Sequence, residues 1–204
     1  MDFFISDLHF GHDALLRLER SQFNSIEEHD QFIIDSINRL VRKTDRLYIL
    51  GDIGNLEKCR QINARKILIV GNHDKRPIKE FESVFAEVYD HPVYLKENIV
   101  LSHIPIRVNE DTLNVHGHLH GAILTSKNHL NVSAHVIEYT PKSIHRIYEL
   151  ASRLPKENNK FLEEWFAEQY LFSNPSERND VVCDNNGRIL LKETKEHRSK
   201  LFKK

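Results

Sequence analysis

Five short segments of the chain carry side chains that could bind metal ions. They are, in order, Asp7-Leu8-His9, Gly51-Asp52, Gly71-Asn72-His73-Asp74, Ser102-His103 and Gly117-His118-Leu119-His120. Carboxylate oxygens and imidazole nitrogens bind divalent ions, and an amide oxygen can complete a site without adding charge. A hydrolytic centre of two ions also needs a carboxylate between them, because the ions lie roughly 3.5–4 Å apart. The combined donor set predicts such a two-metal centre.

The spacing within and around these segments supports a shared site. Asp7 and His9 are two residues apart, as are His118 and His120, so both side chains of a pair can lie on one side of an extended segment. Six of the seven glycines fall in or beside the five segments, at positions 11, 51, 54, 71, 117 and 121. Glycine permits positive φ and the close approach of another group. We therefore expect unusual backbone conformations in the loops that carry the ligands.

Short apolar runs precede the first three segments and predict β-strands that end at the site. The runs are Phe3–Ser6, Leu47–Leu50 and Ile67–Val70. Helical patterns alternate with them, over Asp13–Arg20, over 26–42 and over 55–63. Fully apolar strands that alternate with helices are typical of a parallel sheet covered on both faces. Ligands bind such sheets beyond the carboxyl ends of the strands, so the first three segments should converge on one edge.

After Pro77 the pattern changes to short strand-like runs with brief connections. The runs are Val84–Val88, Pro92–Leu95, Ile99–Ser102, Leu113–His116 and Leu130–Ser133. They predict a second sheet, mixed or antiparallel, that packs on the first. Pro141–Leu150 predicts a helix that closes this region.

The last quarter of the chain differs in pattern and predicts an extension. We expect one domain over 1–154, followed by residues 155–204 with a helix, a hairpin and a basic tail. The apolar stripe between Phe161 and Tyr170 predicts the helix, and the Asn186-Gly187 turn between two apolar runs predicts the hairpin. The helix would complete the core, contact a second copy of the chain or cover the site.

The composition excludes several classes of protein. The 204 residues are 40% hydrophobic and 29% charged, with a net charge of −1, which is ordinary for a soluble globular protein and gives no sign of a nucleic-acid coat. No apolar run approaches the about 18 residues of a transmembrane helix, and no signal peptide is visible. The two cysteines, Cys59 and Cys183, form no CxxC pair, which suits a reducing compartment. We therefore expect a cytoplasmic protein without a membrane partner.

The ordered segments resemble the motifs of the calcineurin-like metallophosphoesterases, which have the form D-x-H, GD, GNH-[DE], H and G-H-x-H. The resemblance covers residues 1–150, and the opening ISDLHFGH is especially similar to small bacterial and phage members. It implies an α/β fold, a four-layer sandwich of two mixed β-sheets flanked by helices, here with a C-terminal helix–hairpin extension. It also implies a dinuclear metal-dependent hydrolase of phosphate esters.

Carried over residue by residue, the resemblance implies a role for each of these side chains. The ligands of the first ion would be Asp7, His9 and His120. The ligands of the second ion would be Asn72, His103 and His118. Asp52 would bridge the two ions. His73 would not be a ligand but would act as a general acid on the leaving oxygen while a hydroxide attacks phosphorus in line.

One position departs from the G-D-x-x-D motif of several phosphomonoesterases in this family. Here the run is Gly51-Asp52-Ile53-Gly54-Asn55. Asn55 could accept a hydrogen bond from His73, but it carries no charge to stabilise an imidazolium. Because family members without this aspartate commonly act on phosphodiesters, the departure favours a phosphodiesterase. Candidate substrate contacts are His12, Arg107 and Asn55.

Two alternatives to a phosphodiesterase of small molecules stay open. A metal-dependent nuclease on DNA or RNA would use the same chemistry, with the basic tail on nucleic-acid phosphates. A non-catalytic binding scaffold with this fold would lack ligands or His73, and all of them are present. Mixed nitrogen and oxygen ligands suit manganese, which we expect, and also iron, nickel, cobalt or zinc. The expected partners are a phosphate-ester substrate, with nucleotides and nucleic acids among the candidates, and a second copy of the chain through the C-terminal helix.

Overall fold

The computed structural model describes residues 1–96, 98–122, 124, 126–158, 162, 166, 181–183 and 189–191. The chain divides into two units, Met1–Glu157 and Asn158–Lys204. All five ligand segments lie in the first unit, so the fold of that unit positions the site.

The first unit alternates strands and helices up to residue 89 and then continues mainly as strands. Its elements are β1 (Asp2–Ile5), α1 (Asp13–Leu18), α2 (Ile26–Leu40), β2 (Arg46–Ile49), α3 (Leu56–Cys59), β3 (Arg65–Ile69), α4 (Ile78–Phe81), β4 (Glu87–Tyr89), β5 (Val93–Lys96), β6 (Ile99–Leu101), β7 (Leu113–His116), β8 (His129–Asn131), β9 (Lys142–Ser143) and α5 (Ile144–Ala151). The three predicted apolar runs thus become β1, β2 and β3.

The first sheet has five strands in the order β4-β3-β2-β1-β9. β1 to β4 are parallel, and β9 is antiparallel to β1. The central strands are buried on both faces, since Ile5, Leu47, Ile49 and Leu68 have no exposed surface. Because β1, β2 and β3 are parallel neighbours, their carboxyl ends present the first three ligand segments at one edge of the sheet.

The second sheet has four strands in the order β5-β6-β7-β8. β5 and β6 are antiparallel, whereas β6, β7 and β8 are parallel. Both sheets are therefore mixed, and helices accompany them. The predicted α/β fold of two mixed sheets with helices is confirmed.

The placement of the run Val84–Val88 in the second sheet was wrong. The strand formed here is β4, which begins at Glu87 and pairs in parallel with β3 in the first sheet. The chain crosses from β3 to β4 through α4, as a connection between parallel strands requires.

The predicted helices are shorter than the sequence pattern indicated. The helix expected over Pro141–Leu150 begins at Ile144, because the two residues before it form β9 and Ser143 Oγ accepts a hydrogen bond from Arg146 N as the helix cap. The helix expected over 55–63 is limited to the four residues of α3. Such ends are set by local hydrogen bonds that apolar spacing does not encode.

Backbone hydrogen bonds join the end of β1 to the chain after β8. Ser6 N donates to Val132 O (3.0 Å), and Ala134 N donates to Ser6 O (2.8 Å). After β7, Gly117 N donates to His103 O (2.9 Å). The loops of both sheets therefore meet at one place.

In the second unit, β10 (Val181–Cys183) and β11 (Ile189–Leu191) form an antiparallel pair. The predicted Asn-Gly turn, most of the predicted helix and the basic tail lie outside the described residues. Within the part of the chain that is described, none of the helices has the length and apolar character that a membrane crossing needs.

Candidate metal centre

The ligand-bearing loops adopt backbone conformations that residues other than glycine rarely take. The angle φ is positive at Asp7 (56°), His9 (50°), Asp52 (55°), His118 (69°) and His120 (47°). A left-handed residue other than glycine costs on the order of 1–3 kcal/mol and persists only where the surrounding structure holds it. The strain falls on five of the seven predicted ligands, which is typical of functional sites.

Two glycines allow neighbouring loops to approach the predicted carboxylate ligands. A Cβ on Gly71 would overlap the carboxylate and the amide nitrogen of Asp52. A Cβ on Gly117 would overlap Ser6 Oγ and would lie 2.5 Å from Asp7 Oδ2. Neither glycine can be replaced without moving a predicted ligand.

The first cluster of ligand atoms surrounds a point between β1 and the His118–His120 segment. Its members are Asp7, His9, Asp52 and His120, whose ligand atoms all lie within 4.8 Å of one another. His9 Nε2 and His120 Nε2 are 3.1 Å apart, and Asp7 Oδ1 is 3.7 Å from His120 Nε2. Two nitrogens bound to one ion at about 2.1 Å are separated by about 3.0–3.4 Å in octahedral or tetrahedral geometry. The two imidazoles therefore fit a shared ion.

The second cluster lies on the other side of Asp52. Asn72 Oδ1 is 2.8 Å from His103 Nε2 and 3.0 Å from His118 Nδ1. Asp52 Oδ2 is 3.4 Å from His103 Nε2 and 3.6 Å from His9 Nε2. One carboxylate oxygen thus faces both clusters, which is the position that a bridging ligand requires.

The protonation states of the buried ligands suit cation binding. Burial raises the pKa of Asp52, but hydrogen bonding and charge attraction from His103 outweigh it and lower the pKa to about 2. Burial lowers the pKa of His9 to about 3, so its imidazole is neutral. For His103, burial lowers the pKa, but the hydrogen bond with Asp52 and the negative charges of Asp7 and Asp52 together outweigh it and raise the pKa. Ionised carboxylate and neutral imidazole are the forms that bind metals, so Asp52 and His9 are in the required form, whereas a proton on His103 would leave when a metal binds.

Further hydrogen bonds orient the ligands. Asp7 Oδ2 accepts from His118 N (3.0 Å) and from Ser133 Oγ (2.7 Å). His103 Nδ1 lies 2.7 Å from the carbonyl oxygen of Leu50 and donates to it. Such outer contacts fix the tautomer and the orientation of a metal-binding histidine.

A carboxylate that the sequence motifs do not include orients His120. Glu19 follows α1, and its Oε2 lies 2.6 Å from His120 Nδ1. This contact leaves Nε2 of His120 directed at the first cluster. Glu19 is 101 positions away from His120 in the chain, so no local spacing could have indicated the pair.

Asp74, the last residue of the third segment, ties two loops together rather than facing a cluster. Its Oδ2 accepts from Asp52 N (2.9 Å) and Gly71 N (2.8 Å), and its Oδ1 accepts from Ile53 N (3.0 Å). The carboxyl group therefore holds the loop after β2 against the loop after β3.

A buried arginine fixes the first ligand loop. Arg20 has no exposed surface, and its guanidinium donates to Asp7 O (2.6 Å) and Leu8 O (3.0 Å). The same group donates to His29 Nε2 (2.6 Å), and His29 Nδ1 lies 3.0 Å from Asp30 Oδ1. Neither Arg20 nor His29 belongs to the five ligand segments.

The network continues through His29 to the far end of the loop. Burial lowers the pKa of His29, so the neutral ring accepts from Arg20 and donates to Asp30. Asp30 in turn accepts a hydrogen bond from Gly11 N (3.1 Å). One connected set of side chains therefore holds the D-x-H segment at its start and two residues beyond its end.

The predicted general acid lies at the rim of the centre. His73 is exposed, its backbone N donates to Asp52 Oδ1 (2.9 Å), and its ring centroid is 5.8 Å from that of His9. His12 is also exposed, with its ring centroid 5.5 Å from that of His9. Both rings are therefore near the first cluster and open to a ligand.

The other two candidate substrate contacts are exposed as well. Asn55 is exposed, and its Oδ1 accepts from Glu57 N (3.0 Å) as the cap of α3, so the amide oxygen does not form the expected hydrogen bond with His73. Arg107 is exposed in the loop between β6 and β7.

The chain is similar to several known proteins. The chain matches the model of the family described as calcineurin-like phosphoesterase over residues 3–200, well beyond the last motif. It is 30% identical over 169 residues to the uncharacterized protein MJ1445 of Methanocaldococcus jannaschii, covering 74% of this chain and 91% of that protein. It is 28% identical over 198 residues to the Gene 66 protein of Mycobacterium phage L5, covering 76% and 95%.

A solved structure has a similar fold. The crystal structure of AQ665 from Aquifex aeolicus, a protein of unknown function, aligns with a TM-score of 0.60 and 25% identity and covers 74% of this chain and 98% of that one. This similarity in fold supports the two-sheet architecture. Since the family model spans nearly the whole chain, the chain belongs to the calcineurin-like phosphoesterases, a family of metal-dependent hydrolases of phosphoric esters.

Proposed function

We propose that this protein hydrolyses phosphodiesters at a centre of two divalent ions. The observation that carries the proposal is the position of Asp52 Oδ2, which faces His9 at 3.6 Å and His103 at 3.4 Å. Asp7, His9 and His120 would hold one ion, and Asn72, His103 and His118 would hold the other. When bound, two such ions supply Lewis acidity and lower the pKa of water.

The charge of the centre supports an anionic substrate. Asp7 and Asp52 carry two negative charges against the four positive charges of two divalent ions. The net positive charge, in a region where both carboxylates are buried, favours a phosphate group over a neutral ester. The protein therefore selects phosphate by charge before any specific contact forms.

His73 is the residue that we assign to proton transfer. Its backbone is fixed by Asp52 Oδ1, whereas its side chain is exposed next to His9, so the ring can reach a group bound at the centre. In that position it would donate a proton to the leaving oxygen. His12, on the same side of the centre, is available to contact the substrate.

The preference for diesters rests on Asn55. Its side chain is neutral, and its oxygen is used by the cap of α3, so it supplies no carboxylate to hold a protonated His73. Doubly charged monoesters gain most from a cationic histidine, whereas a diester carries a single negative charge. Manganese is the ion we expect, since hard oxygen and imidazole donors both bind it.

The test is a comparison of substrates on metal-free protein reconstituted with Mn²⁺. The panel is bis-p-nitrophenyl phosphate, p-nitrophenyl phosphate, cyclic nucleotides and single-stranded DNA. We expect turnover of the diester to exceed that of the monoester by at least about tenfold. Equal rates for the diester and the monoester, or a faster monoester, would contradict the diester assignment. Faster cleavage of single-stranded DNA than of every small diester would favour the nuclease alternative. No turnover of any substrate would contradict the assignment as a hydrolase.

A further inference from the structure

A cleft of about 330 Å³ opens directly beside the second ligand cluster. It reaches Asn72 and His103, and its walls come from the loop after β3, the connection between β4 and β5, and the loop after β6. The cleft is therefore continuous with the second cluster of the proposed centre, whereas the His73 ring lies near His9 of the first cluster.

The walls of the cleft are mainly apolar. Most of the apolar surface comes from Ile69, Val70, Pro92, Ile104 and Ile106, and the other lining residues are Gly71, Asn72, Asp90, His91, Ser102 and His103. Among the described residues that line the cleft there is no lysine or arginine, and the one carboxylate, Asp90, is paired with His91 at 2.9 Å. Apart from the imidazoles of His91 and His103, such a surface offers no basic group to a second phosphate, but it gains free energy by burying an uncharged organic group.

The backbone around the cleft is fixed. Ile106 N donates to Asn114 Oδ1 (2.9 Å), and Ile106 O accepts from His129 Nε2 (2.8 Å). On the opposite wall, Val70 N donates to Tyr89 O (2.8 Å). The cleft is thus formed before a ligand binds, and its volume is at the lower end of the roughly 300–1,000 Å³ typical of small-molecule sites.

We propose that this cleft receives the ester group that stays on phosphorus, and that the group is uncharged and about the size of an aromatic ring. The proposal rests on the proposed phosphodiesterase function and deepens it. With the leaving oxygen facing His73 near the first cluster, the retained ester group is directed past Asn72 and His103 into the apolar cleft. A monoester lacks this group, so it would not use the cleft.

The experiment compares two diesters that share one leaving group. Bis-p-nitrophenyl phosphate retains an aryl group after cleavage, whereas methyl p-nitrophenyl phosphate retains a methyl group. The variant Ile106→Trp fills the cleft three residues away from His103, at a position whose backbone contacts do not involve the side chain. The control is Leu40→Trp at the end of α2, which is exposed and does not line the cleft.

We expect Ile106→Trp to lower the ratio of kcat/KM for the aryl diester to that for the methyl diester by about tenfold or more, while Leu40→Trp leaves the ratio unchanged. Ile106→Ala, which removes apolar contact without adding bulk, should lower the same ratio by a smaller factor, and it decides the question if the tryptophan variant does not fold. Binding of diphenyl phosphate, measured by calorimetry, should weaken in parallel.

Two different failures can be told apart. If the parent protein hydrolyses both diesters but neither Ile106 variant changes the ratio or the binding of diphenyl phosphate, the cleft assignment is wrong and the phosphodiesterase function stands. If the parent protein hydrolyses neither diester, the proposed function is wrong and the cleft assignment falls with it.

Discussion

At the scale of single residues, four of the seven proposed ligands differ in exposure from the proposed acid, whereas Asn72 is exposed and His118 and His120 are half-buried. Asp7, His9, Asp52 and His103 are buried, whereas His73 is exposed. Buried donors exclude water from the ions, and an exposed histidine can meet the substrate and exchange protons with solvent. This division of labour lets the two kinds of residue be separated by mutation.

We expect His73→Ala to retain the bound metal and the fold but to lose about 10²–10⁴-fold in kcat, the usual contribution of a general acid. Metal content by elemental analysis and turnover of bis-p-nitrophenyl phosphate measure the two properties. His145→Ala, an exposed histidine on α5, is the matched control. Full turnover in the His73 variant would remove its assigned role.

Glu19 gives a second prediction at this scale. Glu19→Gln removes the charge that orients His120 through a 2.6 Å contact, and such changes weaken metal affinity by about 10–100-fold. Titration of the metal-free protein with Mn²⁺ measures the loss. Glu27→Gln, an exposed residue in the first turn of α2, should bind Mn²⁺ like the parent protein, and equal affinity in all three proteins would contradict the role of Glu19.

At the scale of elements, the loop after β1 is held by α1 and α2 rather than by its own sequence. Arg20, just beyond α1, donates to two carbonyl oxygens of the loop, and Asp30 in α2 accepts from its Gly11. The strained φ angles at Asp7 and His9 persist because these contacts hold them.

Arg20→Met should therefore destabilise the protein by about 3–5 kcal/mol, because it leaves the buried carbonyl oxygens of Asp7 and Leu8 and the ring nitrogen of His29 without their donor. Urea unfolding of the metal-free protein measures the change. Arg17→Met removes an exposed arginine from α1, whose ion pair with Asp13 should contribute no more than about 1 kcal/mol. Similar changes in the two variants would show that the buried network does not support the loop.

Elements also show what the sequence could predict and what it could not. The central strands of the first sheet were predictable because continuous apolar runs are the direct sign of strands buried on both faces. β9 was not, because Lys142 and Ser143 carry no alternating pattern and pair with β1 only in the folded chain. The ligand segments could be predicted because their side chains are typical metal donors. Their partners Glu19 and Arg20 could not, because the contacts with His120 and Asp7 form only in the folded chain.

At the scale of the whole molecule, burial of histidines makes stability depend on pH. Burial lowers the pKa of several of them, namely His9, His29, His116, His118 and His129, with values of about 3 for His9 and His116. His103 shifts in the opposite direction through Asp52. The unfolded chain therefore binds more protons than the folded chain below pH 6.5, the ordinary histidine value.

The metal-free protein should thus lose stability as the pH falls from 7.5 to 5, because the unfolded state gains protons that the folded state does not. Scanning calorimetry over this range should show a Tm that decreases steadily. Mn²⁺ should raise Tm at pH 7.5 and progressively less at lower pH, since protons compete for its ligands. A Tm that is constant or rises on acidification would contradict the assigned protonation states.

The division of the chain into a domain over 1–154 and an extension over 155–204 stays a prediction, as does a contact between copies through the C-terminal helix. The motifs end at His120, yet the family match continues to residue 200. Much of the last segment therefore belongs to the matched region, although it carries none of the predicted ligands.

The central claim is that seven side chains hold two divalent ions bridged by Asp52. Anomalous diffraction at the manganese edge from crystals of the Mn²⁺-loaded protein tests it most directly. We expect two peaks about 3.5–4 Å apart, one beside Asp7, His9 and His120 and the other beside Asn72, His103 and His118, with Asp52 contacting both. A single peak, or two peaks that do not share Asp52, would contradict the account.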